Sequence, residues 1–263
     1  MFVDSHCHLD RLKEASTQLD TIVSDAHSAG VEHMLCVAVS VKEFEQMRKT
    51  VSHYPNVSMS CGVHPLHYED VCDIETLLAH CQREDVVAVG ETGLDYHYSA
   101  DTKSVQKASF IDHIQVANEV EKPLIIHTRA AQEDTLALLN QHYKTSTGAV
   151  LHCFTESTEM ALAAIEMGIY ISISGIVTFK SAKALQETVK AIPLEKLLIE
   201  TDSPWLAPVP HRGKENQPKY VKEVGEFVAK LKGISVDELA EVTTANFYQL
   251  FDRINKRPLE NRA

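Results

Sequence analysis

The chain has 263 residues, 44% of them hydrophobic and 24% charged, and a formal net charge of −12. That balance is ordinary for a folded globular protein and excludes a disordered chain. The acidic excess argues against a sequence-blind duplex binder, which needs an extended basic face, and no apolar run approaches the length of a membrane span.

The first predicted strand, residues 2–8, runs from an apolar start into Asp4-Ser5-His6-Cys7-His8. Alternation along a strand places Asp4, His6 and His8 on one face, so two imidazoles can converge on one cation. Seven further short aliphatic runs follow, at residues 33–39, 57–63, 86–91, 124–127, 149–153, 170–174 and 197–201. Their near-continuous apolar character is that of strands buried on both faces. Helical spacing fills the gaps. Leu19, Ile22, Val23 and Ala26 precede a stop at Gly30; residues 106–121 align Phe110, Ile114, Ala117 and Val120; 161–167 ends at Gly168; 182–191 precedes Pro193; and 219–231 and 236–251 follow the last strand. Eight alternating units predict an α/β chain folded as a (β/α)8 TIM barrel, one domain over residues 1–263. The polar tail, 255–263, is expected to fray.

Six cysteines form no CxxC pair, which removes zinc-ribbon and thioredoxin readings. Cys36, inside an apolar run, reads as a small reduced hydrophobe. With no secretory leader, a cytoplasmic location is expected, and Met1 is read as the start of the fold.

The ends of the predicted strands carry the chemistry. The first ends in His6 and His8, the fourth at Glu91, the fifth at His127, the sixth at His152, and the eighth in Glu200-Thr201-Asp202. In a parallel barrel these ends share the catalytic C-terminal rim. Four imidazoles and two carboxylates exceed the three or four ligands of one catalytic ion and suit two divalent ions. His6, His8, Glu91 and Asp202 are assigned to one ion and Glu91, His127 and His152 to the other, Glu91 bridging. Asp202 is the candidate general base and, with Glu91, the candidate catalytic pair. Mixed nitrogen and oxygen donors suit Zn²⁺, Mn²⁺ or Fe²⁺, with Mg²⁺ able to support activity.

His64, Asp95, Arg129, Arg212 and Lys214 are candidate contacts to substrate phosphate, against the plainer reading as solvated loop residues. Asp4 and Glu200 either accept an imidazole N–H or make core hydrogen bonds. His67, Tyr96, His97 and Trp205 lie near rim segments and either stack on a base or simply pack. His27, His33, His53, His80, His113 and His142 read as structural.

At Asp4-Ser5-His6-Cys7-His8, Gly62-Val63-His64-Pro65, Gly90-Glu91-Thr92-Gly93-Leu94-Asp95-Tyr96, His127-Thr128-Arg129, Leu151-His152-Cys153-Phe154, Glu200-Thr201-Asp202-Ser203-Pro204 and Arg212-Gly213-Lys214-Glu215-Asn216, the chain resembles the TatD family of metal-dependent hydrolases and deoxyribonucleases. The match runs through nearly the whole chain in the same order. The resemblance implies a barrel of the metallo-dependent hydrolase type and ligation by His6, His8, Glu91, His127, His152 and Asp202. It also implies a substrate side near His64 and Arg129, and 3′-to-5′ exonuclease action on single-stranded DNA.

The leading expectation is therefore a phosphodiesterase acting on DNA ends or small phosphodiesters, with no membrane and no obligatory protein partner. The alternative is an amidohydrolase or an ester hydrolase such as a D-aminoacyl-tRNA deacylase. Many amidohydrolases bridge their metals with a carboxylated lysine on the fourth strand, where this chain has Glu91. A non-enzymatic metal-binding scaffold ranks last.

Overall fold

The computed structural model describes residues 1–13 and 15–254, so the tail expected to fray lies outside the described residues. Eight strands follow one another around a single sheet in chain order: β1 (Phe2–Cys7), β2 (Val31–Cys36), β3 (Val57–Cys61), β4 (Val86–Asp95), β5 (Leu124–Arg129), β6 (Ala149–Leu151), β7 (Tyr170–Ile173) and β8 (Leu197–Ile199). Every neighbouring pair is parallel. The ring comes nearly to closure where β1 meets the segment beyond β8. There Cys7 bridges to Ser203, His8 N–H donates to the Ser203 carbonyl at 2.8 Å, and Asp202 N–H donates to the His6 carbonyl at 2.9 Å. The architecture is the (β/α)8 barrel that the alternation of patterns predicts.

Nine helices surround the strands among the described residues: α1 (Ala15–Ser28), α2 (Val41–Val51), α3 (Ile74–Cys81), α4 (Lys103–Val120), α5 (Gln132–His142), α6 (Thr158–Glu166), α7 (Lys183–Ala191), α8 (Val221–Lys232) and α9 (Val236–Leu250). Short side chains start several of them by accepting a free backbone N–H. Asp73 takes that of Thr76 at 2.8 Å, Ser157 that of Met160 at 3.2 Å, and Ser235 that of Glu238 at 3.1 Å. Gly233, at φ 70°, ends α8 in the left-handed region.

The core has two parts. Between strands and helices lie buried side chains such as Phe44 of α2, Phe110 and Ile114 of α4, Leu139 of α5 and Val228 of α8. Each contributes roughly 1.5–3 kcal/mol by leaving water. A second cluster collects Val3, Leu35, Val87, Ile125, Val150, Tyr170 and Leu198 from seven strands against Phe247 and Phe251 at the end of the chain. Most of these are early residues of their strands, so apolar packing fills the N-terminal end of the barrel and leaves the C-terminal rim for polar groups.

That rim is also where backbone strain gathers. Ala130, Cys153, Asp202 and Leu206, which follow β5, β6 and β8, all have φ between 43° and 58°; residues held this way cluster at functional sites. All six cysteines are unbridged. Among the described residues no helix is long and apolar enough to cross a membrane.

Candidate metal centre

The C-terminal rim brings together the six residues expected as ligands. His6 and Glu91 come from β1 and β4, His127 from β5, and His8, His152 and Asp202 stand just beyond their strands. Glu91 is the hub. Its Oε1 lies 2.7 Å from His152 Nε2 and 3.3 Å from both His127 Nδ1 and His64 Nε2, while its Oε2 lies 3.3 Å from His6 Nε2 and 3.7 Å from His8 Nε2. Asp202 Oδ1 completes the set at 3.5 Å from His8 and 3.8 Å from His6. Glycine is what lets Glu91 sit so close to β5: Gly90 adopts φ 136°, and a Cβ there would lie 2.5 Å from the Ile125 carbonyl oxygen.

Proton positions show what the cluster fits. His8 Nδ1 is 2.7 Å from the Val37 carbonyl, which only accepts, so that nitrogen carries the proton. His127 Nε2 is held by Asp95 Oδ2 at 3.0 Å and His152 Nδ1 by Glu200 Oε1 at 3.3 Å, which places their protons outward too. When neutral, these rings turn lone pairs inward, onto carboxylate oxygens, at the floor of the mouth. Such a convergence is repulsive unless positive charge stands within it, and outer acceptors of this kind are the usual support of metal-binding histidines. The nitrogen and oxygen donors fit a divalent cation.

Without a cation, protons supply that positive charge: His8, His127 and His152 are all raised above the ordinary histidine value by the carboxylates facing them, against their burial. Burial alone would raise the Glu91 carboxyl, but the imidazoles of His152 and His64 outweigh it and hold Glu91 well below the usual carboxylate range. Asp202 is likewise lowered against burial by His8 and His6. Burial would lower His152, yet Glu91 and Glu200 hold it well above an ordinary histidine. His64, by contrast, is pushed down to about 4, burial prevailing over Glu91.

Three groupings bring ligand atoms within 4.8 Å of one another: His6 with His152 and Asp202, His6 with His8 and Glu91, and His64 with Glu91 and His127. These groupings overlap, and His152 stands beside His6 as well as 2.7 Å from Glu91. β6 ends at Leu151 and Cys153 takes φ 43°, so the His152 ring turns across the mouth and stacks on His6 at 3.9 Å between centroids.

A cavity of about 700 Å³ opens over the cluster, with Arg11, His64, Tyr98, Arg129 and Trp205 in its walls. Trp205, 49% exposed, meets the His8 ring edge-on at 5.1 Å, and the Arg129 guanidinium lies 4.6 Å over the exposed Tyr98 ring. Of the expected phosphate contacts, His64 and Arg129 line this cavity. Asp95 also borders it but is 1% exposed. One of its oxygens accepts the N–H groups of His97 and Tyr98 and the other faces His127, so it orients an imidazole. Arg212 and Lys214 stand outside the cavity wall, Arg212 with its guanidinium 4.2 Å over Phe179.

The two open carboxylates separate cleanly. Glu200 meets the His152 ring, whereas Asp4 accepts the Thr201 N–H at 2.8 Å and its hydroxyl at 2.6 Å, tying β1 to the end of β8. His67 and Trp205 border the cavity, and Tyr96 donates to Asp134 at 2.7 Å. Arg11 and Tyr98 escaped the sequence reading, although each follows a ligand-bearing strand end by a few residues and so had to lie on the rim.

The family model for TatD related DNase matches residues 3–252. The chain belongs to the TatD family. Within the TatD family it is 51% identical, over 251 residues and 95% of both chains, to the metal-dependent hydrolase YcfH of Escherichia coli K12. It is 35% identical over 240 residues, 89% of this chain and 92% of the other, to a Salmonella typhimurium protein named 3′-5′ ssDNA/RNA exonuclease TatD. The crystal structure of the TatD homologue YjjV of Escherichia coli K12 superposes with a TM-score of 0.89 at 27% identity, covering 95% and 98% of the two chains. This TatD-family chain is a metal-dependent hydrolase with a cluster of histidines and carboxylates able to bind metal.

Proposed function

We propose that the protein is a phosphodiesterase that removes nucleotides from the 3′ ends of single-stranded DNA, working with two divalent ions in a cytoplasmic setting that keeps its six cysteines reduced. The observation that carries this reading is Glu91 with inward-facing donors on both of its oxygens, at 2.7–3.7 Å. His6, His8, Glu91 and Asp202 would hold one ion and Glu91, His127 and His152 the other, from among Zn²⁺, Mn²⁺, Fe²⁺ and Mg²⁺. Cations held there supply Lewis acidity toward a phosphoryl oxygen and lower the pKa of water.

The remaining work falls to this chain's side chains. Asp202, kept ionised by His8 and His6, accepts the proton of the attacking water. Arg129 offers planar N–H donors to a phosphate at the cavity wall. Trp205 and Tyr98 present exposed rings on which an unpaired base can stack, a face that duplex DNA keeps occupied. The relative bearing a single-strand exonuclease name supports the same substrate. No lysine lines the cavity among the described residues, and Glu91 has imidazole nitrogens facing both of its oxygens, so the amidohydrolase reading ranks second.

The test is turnover by protein reconstituted with Mn²⁺ or Mg²⁺ on a single-stranded oligonucleotide, beside lactones and a D-aminoacyl-tRNA. Mononucleotides should appear from the 3′ end, cease on chelation, and be absent with the His6→Ala/Asp202→Ala double variant. Faster turnover of the other substrates would replace the proposal with the amidohydrolase or deacylase reading.

A further inference from the structure

As a neutral ring, His64 differs from His8, His127 and His152 in carrying its proton on the nitrogen that faces inward. It stands just after β3, and three backbone contacts fix it. Val63 N–H donates to His113 Nε2 at 3.0 Å, His64 N–H to the Val39 carbonyl at 2.9 Å, and His67 N–H to the His64 carbonyl at 2.8 Å. The side chain caps the helical turn that opens at Pro65: its Nδ1 accepts the Leu66 N–H at 3.0 Å. A backbone N–H can only donate, so Nδ1 bears a lone pair and the neutral ring holds its proton on Nε2. That nitrogen lies 3.3 Å from Glu91 Oε1 and borders the cavity. In their neutral forms His8, His127 and His152 have the opposite polarity, with the remaining proton outward against Val37, Asp95 and Glu200.

We infer that His64 is not a metal ligand but the neutral hydrogen-bond donor of the mouth, whose Nε2–H, held beside Glu91 by the cap on Nδ1, is offered to a non-bridging phosphoryl oxygen of a bound phosphodiester. The acceptor named here rests on the phosphodiesterase reading; the position of the proton does not. Proximity alone groups His64 with Glu91 and His127 as a cation-binding trio. Ligation through Nε2 would move the ring proton to Nδ1, where it would face the Leu66 N–H, donor against donor across 3.0 Å. A donor opposite the Glu91 carboxylate has no such conflict. During phosphodiester cleavage negative charge grows on the non-bridging oxygens, and a donor already fixed by its contact with the Leu66 N–H stabilises it without reorganising. No proton changes hands in this role.

Asparagine at position 64 separates the cap from the donor. Its side-chain oxygen can accept the Leu66 N–H, since Asn is among the best helix caps, but it is too short to reach Glu91. His64→Asn is expected to melt near the wild type and to bind the same number of Mn²⁺ equivalents, while His127→Ala binds fewer. Its kcat on a single-stranded dinucleotide should fall about 100-fold, the usual loss for one removed oxyanion donor, with KM changed only a few-fold. Ring ¹⁵N resonances should show His64 protonated at Nε2 both without metal and with Zn²⁺, and His8 protonated at Nδ1. The inference is overturned if His64→Asn loses a metal equivalent, if Zn²⁺ displaces the Nε2 proton of His64, or if His64→Asn turns over like the wild type. Wild-type protein inert toward every phosphodiester would sink the phosphodiesterase reading and the acceptor with it. The metal count and ring resonances need no substrate and would still decide whether His64 is a ligand.

Discussion

Replacing His113 with glutamine should flatten one part of the pH dependence of stability. His113, on α4, is 2% exposed; Nδ1 donates to the Ser109 carbonyl at 2.6 Å while Nε2 accepts the Val63 N–H at 3.0 Å. Both nitrogens are thus committed to the neutral ring, and burial pushes the group from 6.5 down to about 4. As pH falls below 6.5 the unfolded chain takes up a proton that the native ring refuses until about 4. Stability is therefore lost through that window and is unaffected above it. At about 1.4 kcal/mol per pKa unit, the whole window is worth about 3 kcal/mol. Glutamine can still accept from Val63 but does not titrate. Urea unfolding of both proteins, with chelator present to remove metal linkage, should show the wild type losing about 2–3 kcal/mol more than His113→Gln between neutral pH and about pH 4.5. Stability curves that run parallel through this range would refute the reasoning.

Glu200→Gln removes the carboxylate that faces His152 Nδ1 at 3.3 Å and should weaken metal binding roughly 10–100-fold, measured by competition with a chromophoric chelator. Arg129→Ala should raise KM for a single-stranded oligonucleotide roughly 10-fold, consistent with losing one charge-assisted hydrogen bond, whereas Arg212→Ala, outside the cavity wall, should leave kcat/KM unchanged. Gly62→Ala places a Cβ 2.5 Å from Gly90 Cα and 2.8 Å from the Glu91 carbonyl oxygen. Thermal melts should show a loss of about 1–3 kcal/mol, and activity should fall as Glu91 is displaced.

The barrel was legible because its strands are short, apolar on both faces and separated by helical spacing, and because residues of ligand type recur at their ends. Less visible was how those ends are built. β4 runs on to Asp95 rather than stopping at Glu91, with a register shift between Val89 and Thr92, and this extension sets Asp95 against His127. β6 and β8 stop early, at Leu151 and Ile199, so His152 and Asp202 reach the centre from turns with positive φ next to or at the residue itself. Periodicity does not encode such turns. Helices α2, α3 and α5 went unassigned individually, whereas α6 and α7 were marked by Gly168 and Pro193 just past their ends; the Asp73 cap of α3 and the acidic first turn of α5 were the available signals. Basic loop residues carry no pattern that separates a phosphate contact from a stacking partner, and Arg212 resolves only when its neighbour Phe179 is seen.

The central claim is that Glu91 draws cations between two sets of imidazoles and carboxylates. Anomalous diffraction from a crystal soaked in Mn²⁺ or Zn²⁺ tests it directly. Two peaks sharing Glu91, each about 2.0–2.2 Å from donors among His6, His8, His127, His152 and Asp202, are predicted. A soaked crystal with no peak within reach of Glu91, or with His64 Nε2 in place of those donors, would contradict it.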